Sequence, residues 1–207
     1  MTAYRHHPLV GPALFLLGLL ATGNATAGIH TWDIVEVFSN ADGTVQYIEL
    51  EDLGAGGNEV NIGNATLSSA SQSYAFGNGP VAPPTNGKFY LIATPDFVGL
   101  AGAPTPDVIL PADKVPFFDP AGDTLSVGVD SFTFGPVPTD GIDALTRAGG
   151  TTTNTPTNYA GITGTIDASP EPPPSVPLFS GPAVSLTLVS LTLAALALLR
   201  RASGPAS

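Results

Sequence analysis

The chain has 207 residues, with 17 acidic side chains against six Lys and Arg, 24 glycines, 21 prolines and no cysteine. Without cysteine there is neither a disulfide framework nor a thiolate metal site, so stability must come from burial of apolar surface. All the acidic residues fall between Asp33 and Glu171, where Lys88, Lys114 and Arg147 are the only Lys or Arg, so that stretch carries −14 against −11 for the whole chain; a body of this sign repels phosphate backbones, which argues against nucleic acid as a partner, and suits solubility outside the cell.

The first element is a leader. Arg5 lies in a short polar start, Pro8 to Ala21 is an apolar run, and Ala25-Thr26-Ala27 offers the small-x-small pattern that signal peptidase accepts, so residues 1–27 are expected to be removed and the mature chain to begin at Gly28. From there to residue 165, glycine and proline recur every few residues and no stretch keeps apolar spacing at i, i+3, i+4, i+7 for several turns. The body is therefore predicted to be all-β. Ile29 to Phe38 alternates, with Trp32, Ile34 and Phe38 on one side and Val35 and Val37 on the other. A turn over Ser39 to Gly43 and a returning strand from Thr44 to Glu51 complete a hairpin, with Ile48 and Leu50 on one face and Tyr47, Glu49 and Glu51 on the other. Further short strands are expected at Thr66–Ser69, Ser73–Phe76, Lys88–Ala93, Val108–Leu110, Val115–Phe118, Thr124–Val127 and Val129–Phe134. Thr94 to Leu100 is read as one helical turn, capped by Thr94 with Pro95 at its first position. Many short strands at this spacing suggest a β-sandwich or barrel.

Few residues in this body carry chemistry. His30 is its only histidine, three residues from the expected cleavage point, which leaves no good frame for a catalytic triad. Glu49 and Glu51 share a strand face about 7 Å apart, within reach of glycosidase geometry, but they read as the polar face of a half-exposed strand. Asp119/Asp123 and Asp140/Asp143 offer hard oxygen ligands for Ca²⁺, without the Asp-x-Asp-x-Asp-Gly loop that marks a strong site; beside Pro and Gly they read as turn formers. Exposed Tyr47, Tyr74 or Tyr159 would suit stacking on a sugar. The body is thus expected to be non-enzymatic, with a carbohydrate- or calcium-binding module as the alternative.

Residues 166–175 form a Pro-rich linker whose "PEPPP" core is stiff and extended at roughly 3 Å per residue. Residues 176–201 follow, uncharged until Arg200-Arg201; Ala183 to Leu199 alone reaches the lower bound of the 17 to 25 residues, roughly, that span a bilayer. The basic pair keeps residues 202–207 cytoplasmic and leaves the body outside.

"DIVEVFSNADGTVQYIELED" (33–52), "KFYLIATPDF" (88–97), "GDTLSVGVDSFTFG" (122–135) and "PTDGIDAL" (138–145) together resemble the lamin-tail-like module of exported bacterial proteins, over about residues 29–147. Its Glu-Val, Tyr-Ile-Glu-Leu and Tyr-Leu-Ile-Ala signatures stand at Glu36-Val37, at 47–50 and at 90–93, while 51–57 departs from its usual Asn-rich turn. The resemblance implies an immunoglobulin-like sandwich over 28–165; the Thr-, Asn- and Gly-rich stretch 153–167 also looks like the tail of some secreted proteins with this module, as an extended segment closing the sandwich or leaving it. The terminal spacer, apolar run and Arg pair resemble a PEP-CTERM sorting signal: Pro170-Glu171-Pro172 supplies the tripeptide, although about ten residues before the helix, and Val176-Pro177 stands closer to it. That resemblance implies an exosortase-type membrane enzyme as partner; an unprocessed single-pass anchor is the alternative. The expected role is structural or adhesive at the cell envelope or surface, against an extracellular matrix or polysaccharide.

Overall fold

The computed structural model describes residues 29–170, so the leader with Ala25 and Ala27 and the terminal segment with Glu171, Pro172, Val176, Pro177, Arg200 and Arg201 lie outside the described residues. Among the described residues there are ten strands, three short 3-10 turns and no α-helix, hence none long and apolar enough to cross a membrane. The strands are β1 (Trp32–Ser39), β2 (Gln46–Asp52), β3 (Thr66–Ser68), β4 (Ser73–Ala75), β5 (Phe89–Ala93), β6 (Val108–Ile109), β7 (Asp123–Val127), β8 (Asp130–Phe134), β9 (Asp143–Thr146) and β10 (Thr151–Thr153). They form a six-stranded sheet in the order β10-β9-β1-β2-β5-β6 and a four-stranded sheet in the order β4-β3-β7-β8. Only the β5–β6 pair is parallel. Both sheets send apolar side chains into one shared core, among them Ile34, Leu50 and Ile92 from the first and Leu67, Leu125 and Phe134 from the second. The expected all-β body is therefore present, as two sheets.

The hairpin forms where the alternation placed it, but its phase changes within β1. Trp32 pairs with Asp52 and Ile34 with Leu50, then the register slips between Ile34 and Glu36, so that Glu36 faces Glu49 and Val37 faces Ile48. A one-residue bulge reverses the facing of everything after it. Trp32, Ile34 and Val37 consequently share the inter-sheet core, while Phe38 joins the opposite face, which corrects the simple alternation of Trp32, Ile34 and Phe38.

Two distant side chains hold that bulge. Asp130 at the start of β8 accepts from Ile34 N at 2.8 Å, and Arg147 donates to Ile34 O at 2.9 Å while its own N–H reaches Val35 O at 2.8 Å. The guanidinium and the carboxylate are themselves joined by two bonds of 2.6 and 2.8 Å. The backbone groups that the slip removes from the ladder thus find charged partners, as buried backbone must.

Two other expectations give way. Val115–Phe118 is not a strand: Pro116 has no N–H for a ladder, and the segment is paired instead by the buried Gln46 side chain, which accepts from Phe117 N at 2.7 Å and donates to Phe118 O at 2.9 Å. The helical turn after β5 is a single 3-10 turn, Pro95–Phe97, with no side-chain cap from Thr94. Its hydroxyl turns to the hairpin, donating to Thr44 O at 2.7 Å and accepting from Gln46 N at 2.9 Å.

Candidate functional site

The six-stranded sheet buries its outer face as well as its inner one. Phe38, Tyr47, Leu91, Phe97 and Ile166 form a second apolar cluster there, with the Phe38 and Tyr47 rings stacked at 5.2 Å. A lobe made by residues 154–166 lies over the same face and adds Ile166 to the cluster, on which Leu100 and Ala103 also pack. Asn154 closes the base of the lobe, donating to Ile142 O at 2.6 Å and Ile166 O at 2.8 Å and accepting from Ile166 N at 2.8 Å. Thr157 bridges to Thr163 across it, and Gly161 at φ +81° supplies the left-handed residue of the turn between them. Packing continues past residue 165: Ile166 is buried and Ala168 N bonds Gly141 O at 2.9 Å.

The rising side of the lobe crosses the sheet in a regular way. At every second residue its N–H points down and meets a carboxyl group from a different part of the sheet. Thr155 N reaches Glu36 of β1 at 3.0 Å, Thr157 N bonds Glu49 of β2, and Tyr159 N reaches Asp107, beside β6, at 2.9 Å. Asp107 also accepts from Leu91 N of β5 at 2.8 Å, and Glu36 also takes the hydroxyls of Tyr47 and Thr155. An extended chain turns alternate N–H groups to one side, and three carboxyls receive three of them.

Glu49 is therefore not on a half-exposed polar face: it is 4% exposed, and Glu36 beside it is 5% exposed. Burial pushes the Glu49 carboxyl up to about 8, opposed by the Thr157 N–H and reinforced by the neighbouring Glu36 and Glu51. Burial raises Asp107 as well, and burial together with Glu36 holds the Tyr47 phenol firmly protonated. Tyr47 is 1% exposed, which removes it as a sugar platform. Tyr74 and Tyr159 are half-buried packing rings: Tyr74 lies 6.4 Å from Phe76, and Tyr159 lies 6.5 Å from Trp32 with its hydroxyl bonded to Ala82 O.

The aspartates singled out in the sequence act on their own loops. Asp119 accepts from Ala121 N at 2.8 Å; Asp123 accepts from Ala70 N, Thr124 N and Asp119 N at 2.6 to 3.0 Å. Asp140 accepts from Ile142 N at 2.9 Å and Asp143 N at 2.8 Å, bonds that lower its pKa, and Asp143 itself pairs with Thr153 in the β9–β10 ladder. Among the described residues no three His, Asp or Glu side chains converge where a metal ion would sit. His30 is exposed and leans on Glu59 at 3.4 Å. A cavity of about 310 Å³ is lined by Thr44, Pro95, Asp96, Ala112 and Val115, and another of about 360 Å³ lies beside Phe132, Phe134 and Arg147. Glu36, Glu49 and Glu51 line neither.

Glu36 and Glu49 thus fasten the lobe to the sheet. Glu36, Asp107 and the lobe carry no local sequence signal for this role; the one hint is the hairpin itself, which brings two glutamates into opposition with no cation between them. No family model matches the chain, and neither a curated protein nor a solved structure matches it.

Proposed function

We propose that this chain is a non-enzymatic exported protein, an acidic β-sandwich displayed beyond a membrane at the cell envelope or surface in a structural or adhesive role. The observation that carries the reading is the order of parts. A cleavable-looking leader precedes a two-sheet body with nearly all the chain's charge; packing onto that body runs to Ala168, and a Pro-rich spacer follows at once, leading to an uncharged apolar stretch that ends in Arg200-Arg201. Such a body is pushed from no aqueous compartment by its own surface, whereas the terminal stretch is suited to lipid.

The finer fold we assign is the immunoglobulin-like, lamin-tail-like sandwich. Two sheets around one core support it, as does the β1–β2 hairpin carrying Glu36-Val37 and the Tyr47-Ile48-Glu49-Leu50 run. The terminal segment is assigned as a sorting signal of the PEP-CTERM type or an unprocessed anchor. Truncation after Ser175 tests the reading: the shortened chain is expected to leave the membrane fraction while still being exported. Equal membrane association with and without residues 176–207 would overturn it.

A further inference from the structure

We propose that the lobe over residues 154–166 is a proton-controlled latch, held down while Glu49 is protonated and lifted from the outer sheet face when Glu49 ionises beside Glu36. The two side chains sit directly opposite one another in neighbouring strands, at the Glu36–Glu49 pair that follows the bulge, and both are buried. The bulge is what brings them into opposition.

No group facing Glu49 carries a positive charge that would compensate its carboxylate. From β1 comes Glu36; from its own strand, Tyr47 and Glu51; from the lobe, Thr155 and Thr157, which do not ionise; and across β5 stands Asp107, another acid. The basic side chains are engaged elsewhere or do not reach the pair. Arg147 is paired with Asp130, Lys88 sits 5.8 Å from the Tyr159 ring, and the ion pairs among the described residues are His30–Glu59 and Arg147–Asp130.

The cheapest way to hydrate an ionised Glu49 is to move what covers it. The sheet beneath is tied by ladders on both sides, whereas the lobe is held by separate bonds from Thr155, Thr157, Asn158 and Tyr159 and by the Tyr159 ring against Trp32 and Tyr90, and it contains Gly161 and Gly164. Ile166, which enters the second apolar cluster, lies at the base that Asn154 holds shut. Opening therefore swings residues 155–165 away and leaves the base in place. It bares Glu36 and Glu49, the carboxyls that Thr155 and Thr157 cover.

Hydrogen exchange on the full chain in detergent micelles, read by mass spectrometry at pH 6.5 and 9 and corrected for base-catalysed intrinsic exchange, tests the latch. Tenfold per pH unit until ionisation completes gives an opening equilibrium for lobe peptides that rises about thirtyfold over this range. Lobe peptides should open at a smaller free energy than peptides of β7 and β8 at both pH values, and Glu49→Gln, which retains an acceptor for Thr157 N, should abolish the rise. Constant lobe protection in the wild type would overturn the proposal, as would lobe peptides that open at the same free energy as β7 and β8, or a rise that persists in Glu49→Gln. The wild-type comparison of lobe with β7 and β8 decides the matter even if the variant does not fold.

Discussion

Replacing Glu49 by Gln should change how global stability depends on pH while leaving stability below about pH 4.5 almost untouched. The folded carboxyl titrates at about 8, above the ordinary value of 4.5, so the folded state holds a proton that the unfolded chain releases across that window. Stability is then fully present below about pH 4.5 and is lost as pH rises through 8, at about 1.4 kcal/mol per pH unit. Between pH 6 and 8 the loss from this group is about 2 kcal/mol, and it saturates above that. Glutamine matches the protonated acid in shape, accepts from Thr157 N through its carbonyl and turns its amide toward Glu36, so it removes the titration without leaving a cavity. Urea titrations of the full chain in mild detergent, followed by fluorescence of Trp32, the sole and fully buried tryptophan, measure both proteins at pH 6, 7, 8 and 9. The variant's advantage over the wild type should grow by about 2 to 3 kcal/mol between pH 6 and pH 9. Parallel curves over the whole range would refute the reasoning and mean that the carboxyl is hydrated in the folded chain.

Arg147→Met should destabilise by about 2 to 3 kcal/mol, because it strands the buried Asp130 carboxylate and Ile34 O at the bulge; the figure sits below the range for fully buried pairs since the Arg147 side chain is 34% exposed, and a shift in urea midpoint at constant slope measures it. Gln46→Ala removes the partners of Phe117 N and Phe118 O in the core and should cost about 2 to 4 kcal/mol in the same assay, whereas a loss under 1 kcal/mol would show that water replaces the amide. Millimolar Ca²⁺ should leave Tm unchanged, because the carboxylates of Asp119, Asp123 and Asp140 already serve backbone N–H groups; a rise of several degrees would mean that they rearrange around the ion.

The fold was legible where local rules act alone. Ile48 and Leu50 against Tyr47 and Glu49 gave the two faces of β2 correctly, and the Ser39 to Gly43 turn marked the hairpin. The bulge was hidden because it has no composition of its own: it is stabilised by Asp130, 96 positions beyond Ile34, and by Arg147, 113 positions beyond. Strands β9 and β10 escaped notice for a related reason. Asp143–Thr146 offers only Ala144 and Leu145 as apolar residues, and the three threonines of β10 are all exposed, so neither alternates. Glu49 misled most. An acidic residue on the alternate face of a strand ordinarily meets water, and the segment that covers this one donates from 108 positions away, through a Thr-, Asn- and Gly-rich stretch with almost no apolar periodicity.

Intact mass spectrometry of the protein recovered from the cell envelope tests most directly whether the body is delivered across a membrane. The account predicts a chain that begins at Gly28, either complete to Ser207 or ending near the Pro-rich spacer. A soluble chain recovered from the cytoplasm with residues 1–27 and 176–207 both intact would contradict it.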